Sequence, residues 1–284
     1  MADLIIVPTF DRPEFLWIAL ENLYENVLHE GQYPHIWVCE DIHADKPKGF
    51  TAEIEMLAVI REWQPKLGFL YFATTPHTTY GNSYNVLNSL VRAADDGSYR
   101  YVYLIEDDVL VTPDFFSWNE QAQEKFKPWA SCAGRLNRSL NFQINGPEAI
   151  DENIKDVTAC HSSVTAYISW ATCFSAQALR DIKNLDAAYD SFEKRFEQDV
   201  MIQRHIRRTK QITIFPFVPR AFHLGWWSYH RDGGMKLNGA LEERIIALRK
   251  IVKDPAKLQA VKGPQEMDVF PHHLHKSATE LRLL

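Results

Sequence analysis

The sequence predicts an α/β fold: a mostly parallel central sheet held between two layers of helices. Three observations lead there. Short apolar runs alternate with stretches of helical period. Polar and acidic residues stand directly after several of those runs. The chain has 284 residues, 46% of them hydrophobic and 12% aromatic, enough to build one large core.

The first strand is Leu4 to Val7, followed by Pro8-Thr9. Asp11-Arg12-Pro13 opens a helix, because aspartate is a good N-cap and proline a good first helical residue. Phe15, Leu16, Ile18, Ala19, Leu20, Leu23 and Val27 then keep helical spacing. A second strand, Ile36 to Cys39, ends at Glu40-Asp41. A helix over Thr51 to Trp63 and a third strand over Gly68 to Ala73 follow. Tyr80-Gly81-Asn82 opens another helix through Leu87, Leu90 and Val91. The fourth strand, Tyr101 to Ile105, ends in Glu106-Asp107-Asp108, and Thr112-Pro113 starts a helix with Phe115, Phe116 and Trp118.

The second half is less regular. It reads as strand near Ser163 to Phe174 and Ile212 to Val218, with helices over Phe196 to Arg207 and Asn238 to Val252. With no internal repeat or low-complexity linker, residues 1–284 form one expected domain. Residues 1–110 are its nucleotide-binding half, 111–262 its acceptor and catalytic half, and 263–284 a tail.

Composition excludes several classes. The aromatic content is too high for a disordered chain. No apolar run is long enough to span a membrane, and no basic, then apolar leader precedes the first strand. Cys39, Cys132, Cys160 and Cys173 are scattered with no Cys-x-x-Cys pair, which points away from a zinc site or disulfide framework and toward a cytoplasmic setting. The formal charge of −6 argues against an extended nucleic-acid surface. Arg204 to Lys210 is a local basic run, read as a solvated helix end suited to the C-terminal dipole. The phosphate-binding loop of P-loop enzymes and the Gly-x-Gly-x-x-Gly fingerprint are both absent.

The chemistry concentrates at the fourth strand's end. In open α/β sheets ligands bind outside the carboxyl ends of the strands. Three adjacent carboxylates there repel one another unless a cation or hydrogen-bond donors compensate. Mg²⁺ and Mn²⁺ prefer oxygen ligands and often bind through one or two carboxylates plus substrate phosphates. Glu106, Asp107 and Asp108 therefore read either as a metal–diphosphate site or as an acidic turn before Pro113.

The run from Tyr103 through Glu106-Asp107-Asp108 to Pro113-Asp114-Phe115-Phe116 resembles the Asp-x-Asp region of GT-A glycosyltransferases, most closely the N-acetylglucosaminyltransferase I type. In patches the resemblance extends over residues 4–230. It implies a GT-A, Rossmann-like fold and a metal-dependent transferase moving a sugar from a nucleotide-sugar, a UDP-sugar by preference, to an acceptor hydroxyl. The acceptor stays open between a glycan and another hydroxyl-bearing molecule, a modified nucleobase included. By the same resemblance Asp108 is the direct ligand of Mn²⁺ or Mg²⁺. Glu106 and Asp107 face the donor sugar and ribose. Pro8, Thr9 and Arg12 belong to the nucleotide loop, and Asp41 meets the uracil edge, where a carboxylate can accept the ring N–H. Asn82 opens a helix whose N-terminus suits phosphate.

Phe196-Glu197-Gln198-Asp199 lies where the family keeps its catalytic base. Asp199 is the expected base of an inverting transfer, with Glu197 the substitute, since Gln198 replaces an acid of the family segment. His223 stands where the wider fold supplies a late metal ligand. Trp226 or Trp227 is expected near the acceptor, and His272, His273 and His275 in the tail are not assigned to a site. A retaining transferase and a non-catalytic sugar-binding protein remain as alternatives. A sugar-1-phosphate nucleotidyltransferase ranks lower, because it would carry a Gly-rich basic loop where this chain has Pro8-Thr9-Phe10-Asp11-Arg12-Pro13.

Overall fold

A computed structural model describes residues 2–10, 12–31, 33–42, 51–73, 81–134, 160–188, 198–216 and 220–223. The strands are β1 (Leu4–Thr9), β2 (His35–Glu40), β3 (Leu70–Ala73), β4 (Val102–Ile105), β5 (Val109–Val111), β6 (Ala130–Cys132), β7 (Cys160–Ser163), β8 (Ala171–Phe174), β9 (Thr213–Pro216) and β10 (Ala221–His223). The helices are α1 (Pro13–Glu30), α2 (Thr51–Leu67), α3 (Gly81–Asp96), α4 (Phe115–Phe126), α5 (Ala176–Ala188) and α6 (Gln198–Thr209).

Eight strands form one sheet in the order β3-β2-β1-β4-β8-β6-β9-β7, and β5 pairs with β10 in a separate two-stranded ribbon. β3, β2, β1 and β4 are mutually parallel. β8 runs antiparallel to β4 and β6, β9 is parallel to β6, and β7 is antiparallel to β9. Six of the eight strands therefore share one direction, with β8 and β7 reversed.

The period-two alternation of β1 builds both sides of the core. Leu4 and Ile6 pack with Val86, Leu87 and Leu90 of α3, Ala178 and Ile182 of α5 and Ile202 of α6. Ile5 and Val7 pack on the other face with Leu16, Leu20 and Leu23 of α1, Met56 and Ile60 of α2, and Phe115 and Phe116 of α4. Each fully buried side chain of this kind contributes about 1.5–3 kcal/mol relative to exposure. The predicted three-layer arrangement is the observed one.

Several boundaries differ from the sequence reading. α1 begins at Pro13 with Arg12 at its N-cap, where no side chain caps the helix; Asp11 lies outside the described residues. Gly31 ends α1 in the left-handed region (φ 64°), and its N–H reaches the carbonyls of Leu28 and Val27. α2 continues past Trp63 through Pro65 to Leu67. Lys66 supports that last turn by pairing with Glu62 at 2.6 Å and lying 4.5 Å over the Trp63 ring. The single run read near Ser163 to Phe174 is two strands, β7 and β8. β5, β6, β10 and α5 were not anticipated. In α6 the basic run behaves as expected, with Arg204, Arg207, Arg208 and Lys210 exposed. The helix over Asn238 to Val252 and the tail lie outside the described residues. Among the described residues no helix is long and apolar enough to cross a membrane.

Candidate functional site

Because β1 and β4 are neighbours in a parallel arrangement, their carboxyl ends open side by side. β2 joins them on the far side of β1, and the Asp41 N–H donates to the Thr9 carbonyl at 2.9 Å. Three adjacent strand ends thus collect Thr9, Glu40, Asp41, Glu106, Asp107 and Asp108. Pro8 lies buried within β1, in register with Cys39.

The acidic triplet forms the turn by which the chain leaves the main sheet. The Val109 N–H donates back to the Glu106 carbonyl at 3.1 Å, and β5 then runs away to pair with β10. Glu106 is half-buried, whereas Asp107 and Asp108 are 1% and 2% exposed. Buried carboxylates need partners. The Thr9 hydroxyl donates to Asp107 at 2.8 Å. The Arg12 guanidinium spans both acids, one nitrogen bonding Asp107 and the other Asp108 at 2.7 Å.

Burial pushes the Asp107 carboxyl up to about 6; Arg12 opposes that rise, Asp108 adds to it and Thr9 opposes it. Burial also works against the charged form of Arg12, but Asp107 and Asp108 outweigh it and hold the guanidinium above its ordinary value. Among the described residues, the carboxylates of Glu106, Asp107 and Asp108 gather around the Arg12 guanidinium.

Two asparagines fix the strand that leaves the acids. Just beyond the paired residues of β5 and β10 the Thr112 N–H donates to the Arg220 carbonyl (2.9 Å), and the alternation of an antiparallel ladder turns the Val111 backbone the other way, toward α1. There Asn22 accepts from the Val111 N–H at 2.7 Å and donates to its carbonyl at 3.2 Å, while Asn26 donates to the same carbonyl at 3.1 Å. The Glu106 N–H donates to the Trp170 carbonyl at 3.2 Å. Gly134 lies against the Trp170 ring so closely that a Cβ would come within 2.3 Å of it.

His223 pairs in register with Val109, the residue after Asp108, so β10 brings its backbone beside the acidic turn. Asn82 is the second residue of α3. Asp199 occupies the first turn of α6, and its carboxylate accepts the Val200 N–H at 2.7 Å. The Gln198 N–H donates to Ser83 at 3.2 Å, tying the starts of α6 and α3 together. Glu197, Trp226, Trp227, His272, His273 and His275 lie outside the described residues.

Two residues join this neighbourhood without a signal from sequence. Tyr71 donates its hydroxyl to Glu40 at the end of β2. The Tyr167 hydroxyl is buried, and burial holds it well above the usual phenol range, with Cys132, Asp199 and Glu106 adding to the effect. An apolar-flanked tyrosine in an irregular stretch looks like core in sequence, and Tyr167 does also pack against Phe174.

Among the described residues no three ligating side chains converge as a ready-made metal cage. Asp107 and Asp108 still suit a hard divalent ion chemically. They are anionic oxygen donors at a strand end, of the kind that binds such ions together with substrate phosphates.

The fold is the GT-A α/β fold. Solved structures of S. aureus TarS share it. The chain aligns over 96% of its length with 70% of TarS 1–349, at a TM-score of 0.51 and 10% identity. TarS 1–349 in complex with UDP-GlcNAc matches at a TM-score of 0.51 and 11% identity, over 94% of this chain and 69% of that one. The complex with UDP matches at 0.51 and 11%, over 94% and 77%. No protein-family model matches the chain, and no curated protein does.

Proposed function

We propose that this chain is a glycosyltransferase that moves a sugar from a UDP-sugar to an acceptor hydroxyl, with a divalent ion and inversion at the anomeric carbon. The observation that carries the reading is the buried Thr9–Arg12–Asp107–Asp108 cluster at adjacent strand ends of a GT-A sheet. Similarity to TarS, solved with UDP and with UDP-GlcNAc, supports a nucleotide-sugar donor and makes UDP-GlcNAc the first to try. So does the motif resemblance to the N-acetylglucosaminyltransferase I type.

In this reading residues 1–110 hold the donor. Asp41 accepts from the uracil N–H, Pro8, Thr9 and Arg12 line the nucleotide loop, and Glu106 and Asp107 face ribose and sugar. The start of α3, with Asn82, offers N–H groups to phosphate. Asp108 is the principal metal ligand, with His223 the second. A bound divalent ion there supplies electrostatic stabilisation for charge developing on the diphosphate.

Residues 111–262 bring the acceptor. The acceptor oxygen bonds the anomeric carbon as the bond to the diphosphate oxygen breaks, and UDP leaves with the electron pair. Asp199 takes the hydroxyl proton, with Glu197 as the substitute base. Four buried cysteine thiols suit a reducing, cytoplasmic setting.

The test is a screen of nucleotide-sugars for Mn²⁺-dependent UDP release, followed by calorimetry with UDP. A UDP-sugar hydrolysed slowly in metal and not in chelator is the expected result. No binding of any uridine nucleotide would refute the donor reading.

A further inference from the structure

We propose that Arg12 is a resident counter-ion of the Asp107–Asp108 pair, and that a divalent ion enters only as Arg12 leaves. Metal uptake and arginine release are then one exchange. The proposal rests on the metal-dependent reading above and adds a device specific to this chain.

The geometry states the competition directly. One guanidinium nitrogen bonds Asp107 and the other bonds Asp108, so the fork already occupies both acids. These are the same oxygens a hard cation would use. Two cations on one buried acid pair repel each other with little solvent to screen them.

Arg12 also has somewhere to go. It stands at the N-cap of α1, after the last β1 residue, and is 22% exposed while its partners are almost fully buried. Released from the acids, the guanidinium becomes a fork for the diphosphate oxygens of an incoming donor, a geometry arginine suits. Nucleotide and metal then assist each other. A nucleotide that draws Arg12 away raises metal affinity, and by reciprocity metal raises nucleotide affinity by the same factor. Metal alone should bind the wild-type chain weakly.

The experiment is Mn²⁺ titration without nucleotide, followed by calorimetry or the paramagnetic signal of unbound Mn²⁺. It uses the wild-type chain, Arg12→Met and Arg12→Lys. Met removes the competing charge. Lys keeps it as a single ammonium that cannot fork across two carboxylates, and it carries the test if Arg12→Met does not fold. Both variants should bind Mn²⁺ about tenfold or more tightly than wild type, the scale of a charge-assisted pair. UDP should narrow the gap by raising wild-type affinity most, and Mn²⁺ should raise the melting temperature of Arg12→Met more than that of wild type.

Equal Mn²⁺ affinities in all three proteins, with UDP binding that still depends on metal, overturn the exchange and leave the proposed function standing. UDP binding that ignores both Mn²⁺ and chelator overturns the metal reading and the exchange together. Absence of UDP binding under every condition overturns the donor reading itself.

Discussion

Replacing Asn22 by alanine removes the side chain that holds the outer edge of β5. Its carboxamide accepts the Val111 N–H at 2.7 Å and donates to the Val111 carbonyl at 3.2 Å, and both residues are buried. The carbonyl keeps a bond from Asn26 at 3.1 Å, so its loss costs little. The N–H faces away from β10 and loses its acceptor; leaving such a donor buried costs about 1–3 kcal/mol. The vacated volume adds to this, giving roughly 2 kcal/mol in all. For a chain of this size that lowers the melting temperature by roughly 3–4 °C. Asn26→Ala removes one of two donors to a shared carbonyl, along with Asn26's own bond to the Asn22 carbonyl, and should cost about half as much. Scanning calorimetry on the two single variants and the double decides the matter. Because β5 begins directly after Asp108, Asn22→Ala should also weaken UDP binding. If Asn22→Ala melts no lower than Asn26→Ala, the Val111 N–H is not what Asn22 satisfies and the reasoning fails.

Three further outcomes are expected. Asp108→Ala should abolish metal-dependent UDP binding while the chain stays folded; calorimetry with and without Mn²⁺ reads this, and unchanged metal-dependent binding would remove Asp108 from the ligand set. Asp199→Asn should lower kcat by about 10²-fold or more with donor affinity nearly intact, because it spares the donor half and removes only a proton acceptor. Single-turnover transfer beside Glu197→Gln tells which acid is the base. Gly134→Ala drives a methyl into the Trp170 ring, whose own backbone carbonyl takes the Glu106 N–H. It should cost about 1–3 kcal/mol and loosen UDP binding, measured by melting and titration together.

The first half of the fold was legible because β1, β2 and β4 each hold an unbroken apolar run, Leu4–Val7, Ile36–Cys39 and Val102–Ile105, and α1 and α3 keep a helical stripe. The position of the acids was legible for the same reason, since a strand followed by Glu106-Asp107-Asp108 must place them at that strand's carboxyl end. β5, β6 and β10 have three residues each, too few for any period to register. α5 does carry a helical stripe, Ala178, Leu179, Ile182 and Leu185, all buried, which the sequence reading above leaves unused. The pairing of Arg12 with acids more than ninety positions away has no local signature; the spacing predicts where a loop is, not which way its arginine turns. Asn22 did leave a trace. Ile18, Asn22 and Asn26 are four apart, so two asparagines continue a ridge of α1 that starts apolar, a polar insertion that only a buried backbone partner explains.

The pairing of β5 with β10 has a consequence for how the molecule is made. Val111 meets Ala221, Leu110 meets Phe222 and Val109 meets His223, so the strand leaving the acids is completed by a segment made about 112 residues later. At about 5–20 residues per second, a ribosome takes roughly 6–22 s to deliver it. α1 is already present throughout that interval, with Asn22 and Asn26 able to hold one edge of β5 while the other waits. The half of the chain that reads as donor-binding can assemble its four parallel strands early, yet its acidic turn is fastened on both sides only once residues 221–223 have been made. A nascent chain arrested before residue 221 should therefore show a protected β1–β4 sheet and an exchanging Leu110 amide.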